Sequence, residues 1–270
     1  MLKHAMELLY LQYRQCIEVV GNDKFYRYYA DEKIRHSLQV AGAGNYLVRH
    51  IERFKNKSEE YIQMVRTAIL LHDVCRFTEI AKDYHGIKQY DHGVAAHNFL
   101  DYTPLFDDIR IRLPIKHHGH LIQELYKDEE YLRLNADLQR EIEAICFVVR
   151  DADKIANFKM ITGEPYFLPL FMNIDRPLTA DDLKISAHIW QNAFQLNTVP
   201  KPFYTIGDRV TSLFSWYLDI NYQASLDFCN KLNVTEKVFA MFDKYCGDEE
   251  FKQKYTAFVR EYMNTHKFTD

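Results

Sequence analysis

With 270 residues, the chain has the length of one large helical domain that can bury a substantial core. Its formal net charge of -4, with acidic and basic residues interspersed, excludes the basic footprint of a bulk nucleic-acid binder but is compatible with a small nucleotide. The five cysteines are scattered without a CxxC spacing, which disfavours a disulfide framework and a thiolate zinc site and indicates reduced thiols in a cytoplasmic protein.

Apolar residues recur mostly at spacings of three and four, which predicts helices almost throughout and an all-α fold. The first predicted helix carries charges within its apolar stretch, unlike a signal peptide, and no apolar run approaches the roughly 20 residues of a membrane span. In chain order the predicted helices are 2–20, 31–55, 59–76, 92–101, 104–120, 137–159, 180–196, 208–231, 235–246 and 248–265. The longest gaps are 77–91 and 160–178, and the second, rich in proline and aromatic residues, is expected to form a lid or wall over a pocket.

Several histidines and aspartates share a helical face with apolar residues, as a ligand in a helical bundle must. The clearest cases are His36, His72, His92 and Asp153. On the helix predicted over 137–159, the apolar stripe includes Asp153, whereas Asp151 is turned away by roughly 200° at 100° per residue. Of the adjacent His117 and His118, the second falls on the apolar stripe and is favoured, but both stay candidates.

Each of these residues also has an ordinary interpretation. A single inward histidine is more often hydrogen-bonded in a core than bound to metal, and a single buried aspartate more often pairs with lysine or arginine. Five helices that all bury ionisable groups need a common partner, and a shared cation provides it. We therefore expect one or two divalent metal ions, with Mn, Fe, Ni, Co, Zn and Mg all open as the identity.

Three stretches resemble the HD-domain superfamily of metal-dependent phosphohydrolases, which is named after a His-Asp doublet. They are LLHDVCRF at 70–77, DHGVAAHNFL at 91–100 and VVRDADKIANF at 148–158. The resemblance covers about 30–240, with LDINYQAS at 218–225 similar to the tail of some members. It implies an HD-domain-like helical bundle with additional C-terminal helices.

The same resemblance implies one domain over 1–270, with a core at about 30–160 and C-terminal helices at 180–266 packed on it. The chain departs from the usual pattern at two places. Val74, Cys75 and Arg76 follow the doublet where Ile-Gly-Arg or Ile-Gly-Lys is common, and HHGHLIQELY lacks the Gly-Tyr-Pro signature of cyclic-dinucleotide phosphodiesterases. Hydrolysis of cyclic dinucleotides is therefore not supported.

Carried over to this chain, the resemblance implies a metal site with a shared carboxylate. The first ion would be held by His36, His72, Asp73 and Asp153, and Asp73 would bridge to a second ion held by His92 and His118, with His117 as a further candidate. The implied activity is hydrolysis of a small phosphomonoester or phosphodiester, for example a nucleotide, by a metal-activated hydroxide at a mono- or dinuclear site.

Four residues are candidates for roles in catalysis. Asp73 would bridge the ions, and Arg76, one helical turn after His72, would clamp a phosphate oxygen, although an ordinary salt bridge is an equal alternative. Lys154 and Arg35, each next to a ligand, are weaker candidates for binding phosphate.

Two other functions stay open at this point. Two irons on the same ligands could activate dioxygen in an HD-type oxygenase, and the pocket could also belong to a non-catalytic ligand sensor. The ligand types do not separate these activities. The expected partner is a small phosphorylated substrate, with no membrane, and the 19 tyrosines and 18 phenylalanines leave room for the apolar interface of a homo-oligomer.

Overall fold

Helices make up the secondary structure of the computed structural model of this chain. The structure describes residues 1–163, 176–195, 199, 201–266 and 268–269. None of the described segments forms a strand, and Tyr222 and Thr269 make an isolated parallel bridge. The prediction of an all-α fold is confirmed. None of the described helices has the length and apolar character needed to cross a bilayer.

The described residues form two units, Met1–Ala156 and Asn157–Thr269. The prediction of one domain over 1–270 stays a prediction. Most of the segment predicted as a lid over 160–178 lies outside the described residues. The structure describes only its two ends, 160–163, where an α-helix ends at Gly163, and 176–178.

The first unit contains the helices that carry most of the predicted ligands. They are α1 (Leu2–Val20), α2 (Lys24–His50), α3 (Glu52–Lys55), α4 (Glu59–Leu71), α5 (Arg76–Tyr84), α6 (His92–Asp101), α7 (Ile109–His117), α8 (Ile122–Lys127), α9 (Glu129–Leu132) and α10 (Ala136–Gly163), which ends in the second unit. Helix α4 packs against α1, α2 and α7, and α6 packs against α7. A Cβ atom on Gly44 of α2 would lie 2.6 Å from the side chain of Ile69 on α4, so glycine permits this close approach.

Helix α2 begins earlier than the predicted residue 31. Asp23 stands at its N-cap with extended backbone, and its carboxylate accepts hydrogen bonds from the backbone N–H groups of Phe25 and Tyr26. A capping aspartate satisfies amide groups that have no partner inside the helix. The cap therefore adds residues 24–30 to the helix that carries His36.

Two predicted helices of the first unit are interrupted at the candidate ligands. The prediction of 59–76 as one helix is wrong, because α4 ends at Leu71 and a turn over 72–75 precedes α5. The helix predicted over 104–120 is shorter, since Asp108 caps α7 at Arg110 and the helix ends at His117. Both breaks place a candidate histidine, His72 or His118, at the C-cap of a helix.

The second unit is built around aromatic side chains. Its α-helices after α10 are α11 (Ala187–Asn192), α12 (Ile206–Phe214), α13 (Gln223–Lys231), α14 (Val234–Tyr245) and α15 (Glu249–Thr265), with 3-10 turns at Ala180–Leu183 and Ser215–Asp219. The predicted helices 180–196 and 208–231 are each divided, the second because Ile220 and Tyr222 have extended backbone. Phe214 stacks on Phe242 with ring centroids 4.3 Å apart.

Candidate metal centre

Six of the seven predicted metal ligands converge within the first unit. His36 lies on α2, His72 and Asp73 in the turn after α4, His92 at the start of α6, His118 directly after α7, and Asp153 on α10. His36, His72, Asp73 and His118 are buried. The ligands are distant in sequence, so only the packing of these helices brings them together.

The first group of candidate ligand atoms lies near Oδ2 of Asp73. Nε2 of His72 lies 3.7 Å from Oδ2 of Asp73 and 3.8 Å from Oδ1 of Asp153. His36 donates a hydrogen bond from Nε2 to Oδ1 of Asp153 over 2.9 Å. Ligand atoms of His36, His72 and Asp73 all lie within 4.8 Å of one another. A divalent ion held here would take the place of the proton on His36.

The second group lies on the other oxygen of the same carboxylate. Oδ1 of Asp73 is 3.2 Å from Nε2 of His92 and 3.5 Å from Nε2 of His118. The two imidazole nitrogens are 3.3 Å apart. Asp73 therefore belongs to both groups, as a ligand that bridges two ions must.

The backbone fixes which imidazole nitrogens are available. His72 donates from Nδ1 to the carbonyl of Ile69 over 2.9 Å, and His118 donates from Nδ1 to the carbonyl of Ile115 over 2.7 Å. Because a carbonyl only accepts, Nδ1 carries the hydrogen and Nε2 of a neutral ring presents its lone pair to the centre. Metal-binding histidines are commonly oriented by such a bond from the second nitrogen.

Two buried atoms that face the centre, Nε2 of His72 and Oδ1 of Asp73, make no hydrogen bond with any of the described residues. Leaving a buried polar atom without a partner costs about 1–3 kcal/mol, and more for a charged group. Nitrogen lone pairs and carboxylate oxygens that face one another in a buried site suit a divalent cation, so the donor set fits a metal centre.

The protonation states also suit metal binding. Burial lowers the pKa of His72 to about 3 and also lowers the pKa of His92, so both rings are neutral near pH 7. Burial alone would raise the pKa of Asp73, but the charges of Arg76 and Lys33 outweigh it and hold this pKa well below its usual value. Burial likewise opposes ionisation of Asp153, and the hydrogen bond from His36 outweighs it and lowers the pKa. Neutral imidazoles and ionised carboxylates are the forms that ligate metals.

The structure does not bring His117 into this cluster. Its Nε2 donates to Oδ2 of Asp128 over 2.8 Å, and Asp128 also accepts from Lys116 over 2.6 Å and caps α9. Helix α7 ends at His117, and the rings of His117 and His118 have different hydrogen-bond partners. Of the adjacent pair, only His118 reaches Asp73.

The remaining predicted residues have different surroundings. Arg76 lies beside Asp73, with Nε 3.5 Å from Oδ1. Lys154 is buried in α10, and its role with phosphate stays a prediction. Arg35 pairs with Glu32 and is half exposed. The prediction that Asp151 points outward is wrong, because this residue is fully buried. Helix α10 is buried on more than its apolar stripe, so the spacing of apolar residues did not show that Asp151 is buried.

Three residues near the cluster were missed at the level of sequence. Lys33 places Nζ 3.5 Å from Oδ2 of Asp73, and Glu79 lies with Oε2 3.4 Å from Nδ1 of His92. Buried Arg150 donates to the backbone carbonyls of His117, His118 and His120 and so holds the turn after α7. Lys33 precedes His36 by three residues and Glu79 follows Arg76 by three, so helical spacing was a usable signal for both.

The centre thus offers two groups of nitrogen and oxygen ligands around one carboxylate, with two cationic side chains beside it. Comparison of the chain with known protein families, curated proteins and solved structures finds no match.

Proposed function

We propose that this protein is a metal-dependent phosphohydrolase that holds two divalent ions and acts on a small phosphomonoester or phosphodiester. The observation that carries the proposal is the position of Asp73. Its two oxygens face separate groups of imidazole nitrogens, and His92 and His118 complete the second group at 3.2 and 3.5 Å. The resemblance of LLHDVCRF and VVRDADKIANF to HD-domain sequences points to the same chemistry.

Divalent ions bound to these ligands would lower the pKa of a bound water and neutralise charge on a phosphoryl oxygen. The ligand set needs no serine or cysteine nucleophile for hydrolysis. The buried thiol next to the centre, Cys75, is unsuited to that role, because burial raises its pKa to about 12.

The cationic side chains beside Asp73 supply the second requirement of a phosphohydrolase. Lys33 and Arg76 approach opposite oxygens of the carboxylate, each at 3.5 Å. Arginine presents a planar fork of donors that matches phosphate, and lysine adds a compact positive charge. We infer that these two residues orient the phosphoryl group, while Glu79 holds the Arg76 guanidinium through Nη1.

The test is a metal-resolved assay of phosphatase activity. The full chain is stripped of metal, reloaded with Mn²⁺, Ni²⁺, Zn²⁺ or Fe²⁺, and given p-nitrophenyl phosphate or bis(p-nitrophenyl) phosphate without oxygen. We expect metal-dependent release of p-nitrophenol. Absence of release with every metal would contradict the hydrolase. So would oxygen uptake that depends on a phosphorylated metabolite, measured with the Fe²⁺-loaded protein in a parallel reaction supplied with oxygen.

The adjacent histidines provide a matched pair for this assay. His118→Asn removes a proposed ligand, whereas His117→Asn changes its neighbour, which pairs with Asp128. We expect loss of activity and of one metal equivalent in His118→Asn only, with circular dichroism showing that both variants are folded. Equal loss in the two variants would argue against the assignment of the second group.

A further inference from the structure

The guanidinium of Arg76 reaches into the second group of ligands. Its Nη2 lies 2.9 Å from Nε2 of His92, and its Nε lies 3.5 Å from Oδ1 of Asp73. Arginine carries only donors and stays protonated, so Nη2 donates and Nε2 of His92 accepts. The hydrogen of the His92 ring is then on Nδ1, which faces Oε2 of Glu79 at 3.4 Å. Arg76 thus uses the lone pair of His92 that points towards Asp73 and His118.

The first group has a different arrangement. Lys33 approaches Oδ2 of Asp73, and in the described part of the chain no cationic side chain donates to a ring nitrogen of His36 or His72. A positive charge therefore lies beside each oxygen of Asp73, but only Arg76 contacts an imidazole ligand. The two metal positions are unequal for this reason.

We propose that Arg76 competes with the second metal ion for Nε2 of His92, so that the second ion binds more weakly than the first. This inference rests on the proposed metal centre. A phosphate anion gives the guanidinium another partner and reduces the competition. Phosphate and the second ion then bind with positive coupling, each raising the affinity of the other. The substrate itself would in this way complete the dinuclear centre.

The test measures binding of Mn²⁺ alone, without turnover. Metal-free full-length protein is titrated with Mn²⁺ by calorimetry, and electron paramagnetic resonance counts free and coupled ions. The variants are Arg76→Met and Arg76→Gln, with Lys33→Met as the control that removes a positive charge from Asp73 without touching His92. Each titration is repeated with inorganic phosphate.

We expect the second Mn²⁺ to bind about tenfold more tightly in both Arg76 variants, the effect of losing one charged hydrogen bond. Lys33→Met should tighten the first binding step more than the second, because Lys33 faces Oδ2 of Asp73 in the first group. Phosphate should tighten the second step in the wild-type protein and do so much less in Arg76→Met.

Four results would overturn the inference. The second step could be unchanged in both Arg76 variants, or Lys33→Met could tighten it as much as Arg76→Met, which would reduce the effect to charge alone. A single Mn²⁺ in every protein, with or without phosphate, would exclude both the competition and the second ion of the proposed centre, but not hydrolysis at one ion. Absence of any bound Mn²⁺ throughout would contradict the metal centre itself, and the proposed function with it.

Discussion

Replacing Asp73 by asparagine tests the shared ligand, because it removes a negative charge from both groups while keeping the size of the side chain. The carboxylate side chain is only 3% exposed, and its oxygens lie 3.7 Å from Nε2 of His72 and 3.2 Å from Nε2 of His92. Loss of a partner outside the ligand shell weakens metal binding about 10–100-fold, so loss of a charged ligand should weaken both ions by at least about 100-fold. We expect fewer than one tightly bound ion in the variant.

The same substitution also affects folding, and this contribution has to be separated. Removing one partner of a buried ion pair costs about 3–5 kcal/mol. Here Lys33 is 18% exposed and Arg76 keeps its bond to Glu79, so the lower end of that range, about 3 kcal/mol in the metal-free protein, is expected. Urea unfolding of metal-free protein measures this loss of stability.

Asp128→Asn is the matched control for Asp73→Asn. The Asp128 side chain is 6% exposed and lies between a lysine and a histidine, Lys116 and His117, as Asp73 lies between cationic and imidazole groups. It should lose stability but retain both ions, as measured by metal content after dialysis. Wild-type metal content in Asp73→Asn, or the same loss of metal in Asp128→Asn, would refute the reasoning.

Three further substitutions and a change of pH have distinct expected results. Asp153→Asn should weaken the first ion, whereas Asp151→Asn should lower the free energy of unfolding with metal binding retained; equal loss of metal in both would contradict the assignment. Arg150→Met should lower stability by about 3 kcal/mol, since bonds from a charged donor contribute about 1.5–3 kcal/mol each, and an unchanged urea midpoint would count against its role in the turn after α7. Burial lowers the pKa of His72 from 6.5 to about 3. Between these two pH values, the unfolded chain binds a proton at His72 and the folded chain does not. The metal-free protein should therefore lose stability as the pH falls through this range. The depressed pKa of Asp73 adds to this loss at the acidic end, below about pH 4. Constant stability between about pH 7 and pH 4 in urea titrations would contradict the burial of a neutral His72.

The periodic part of the sequence predicted most of the helices and most of the side chains that the packing brings together. His36, for example, lies on the same face of α2 as the buried residues Val40 and Leu47, and the fold keeps that face inside. Helical spacing works here because a side chain that must be buried follows the 3.6-residue period of its helix.

Breaks in the helices were not predictable in the same way. The apolar pattern runs without interruption from 59 to 76, yet α4 ends at Leu71 and a turn over 72–75 follows it. Both His72 and Asp73 lie in this turn and face the centre. Spacing also failed for Asp151, which is fully buried on a helix that packs on several sides. Tertiary contacts decide such positions, and a single sequence does not contain them as a periodic signal.

The cations around Asp73 show the same limit. The contact of Arg76 with His92 joins residues on different helices, at 2.9 Å, and no spacing rule connects them. Arg76 was expected to face a phosphate because it follows His72 by one turn. Its hydrogen bond to a candidate ligand emerged only from the packing of α5 against α6.

The most direct test of the metal centre is anomalous diffraction from crystals of the full chain grown with Mn²⁺ and inorganic phosphate. Two anomalous peaks are expected on either side of Asp73, one near His36 and His72 and the other near His92 and His118. No peak at this carboxylate, with the six side chains arranged around water or one another, would contradict the metal centre and the hydrolytic function proposed from it.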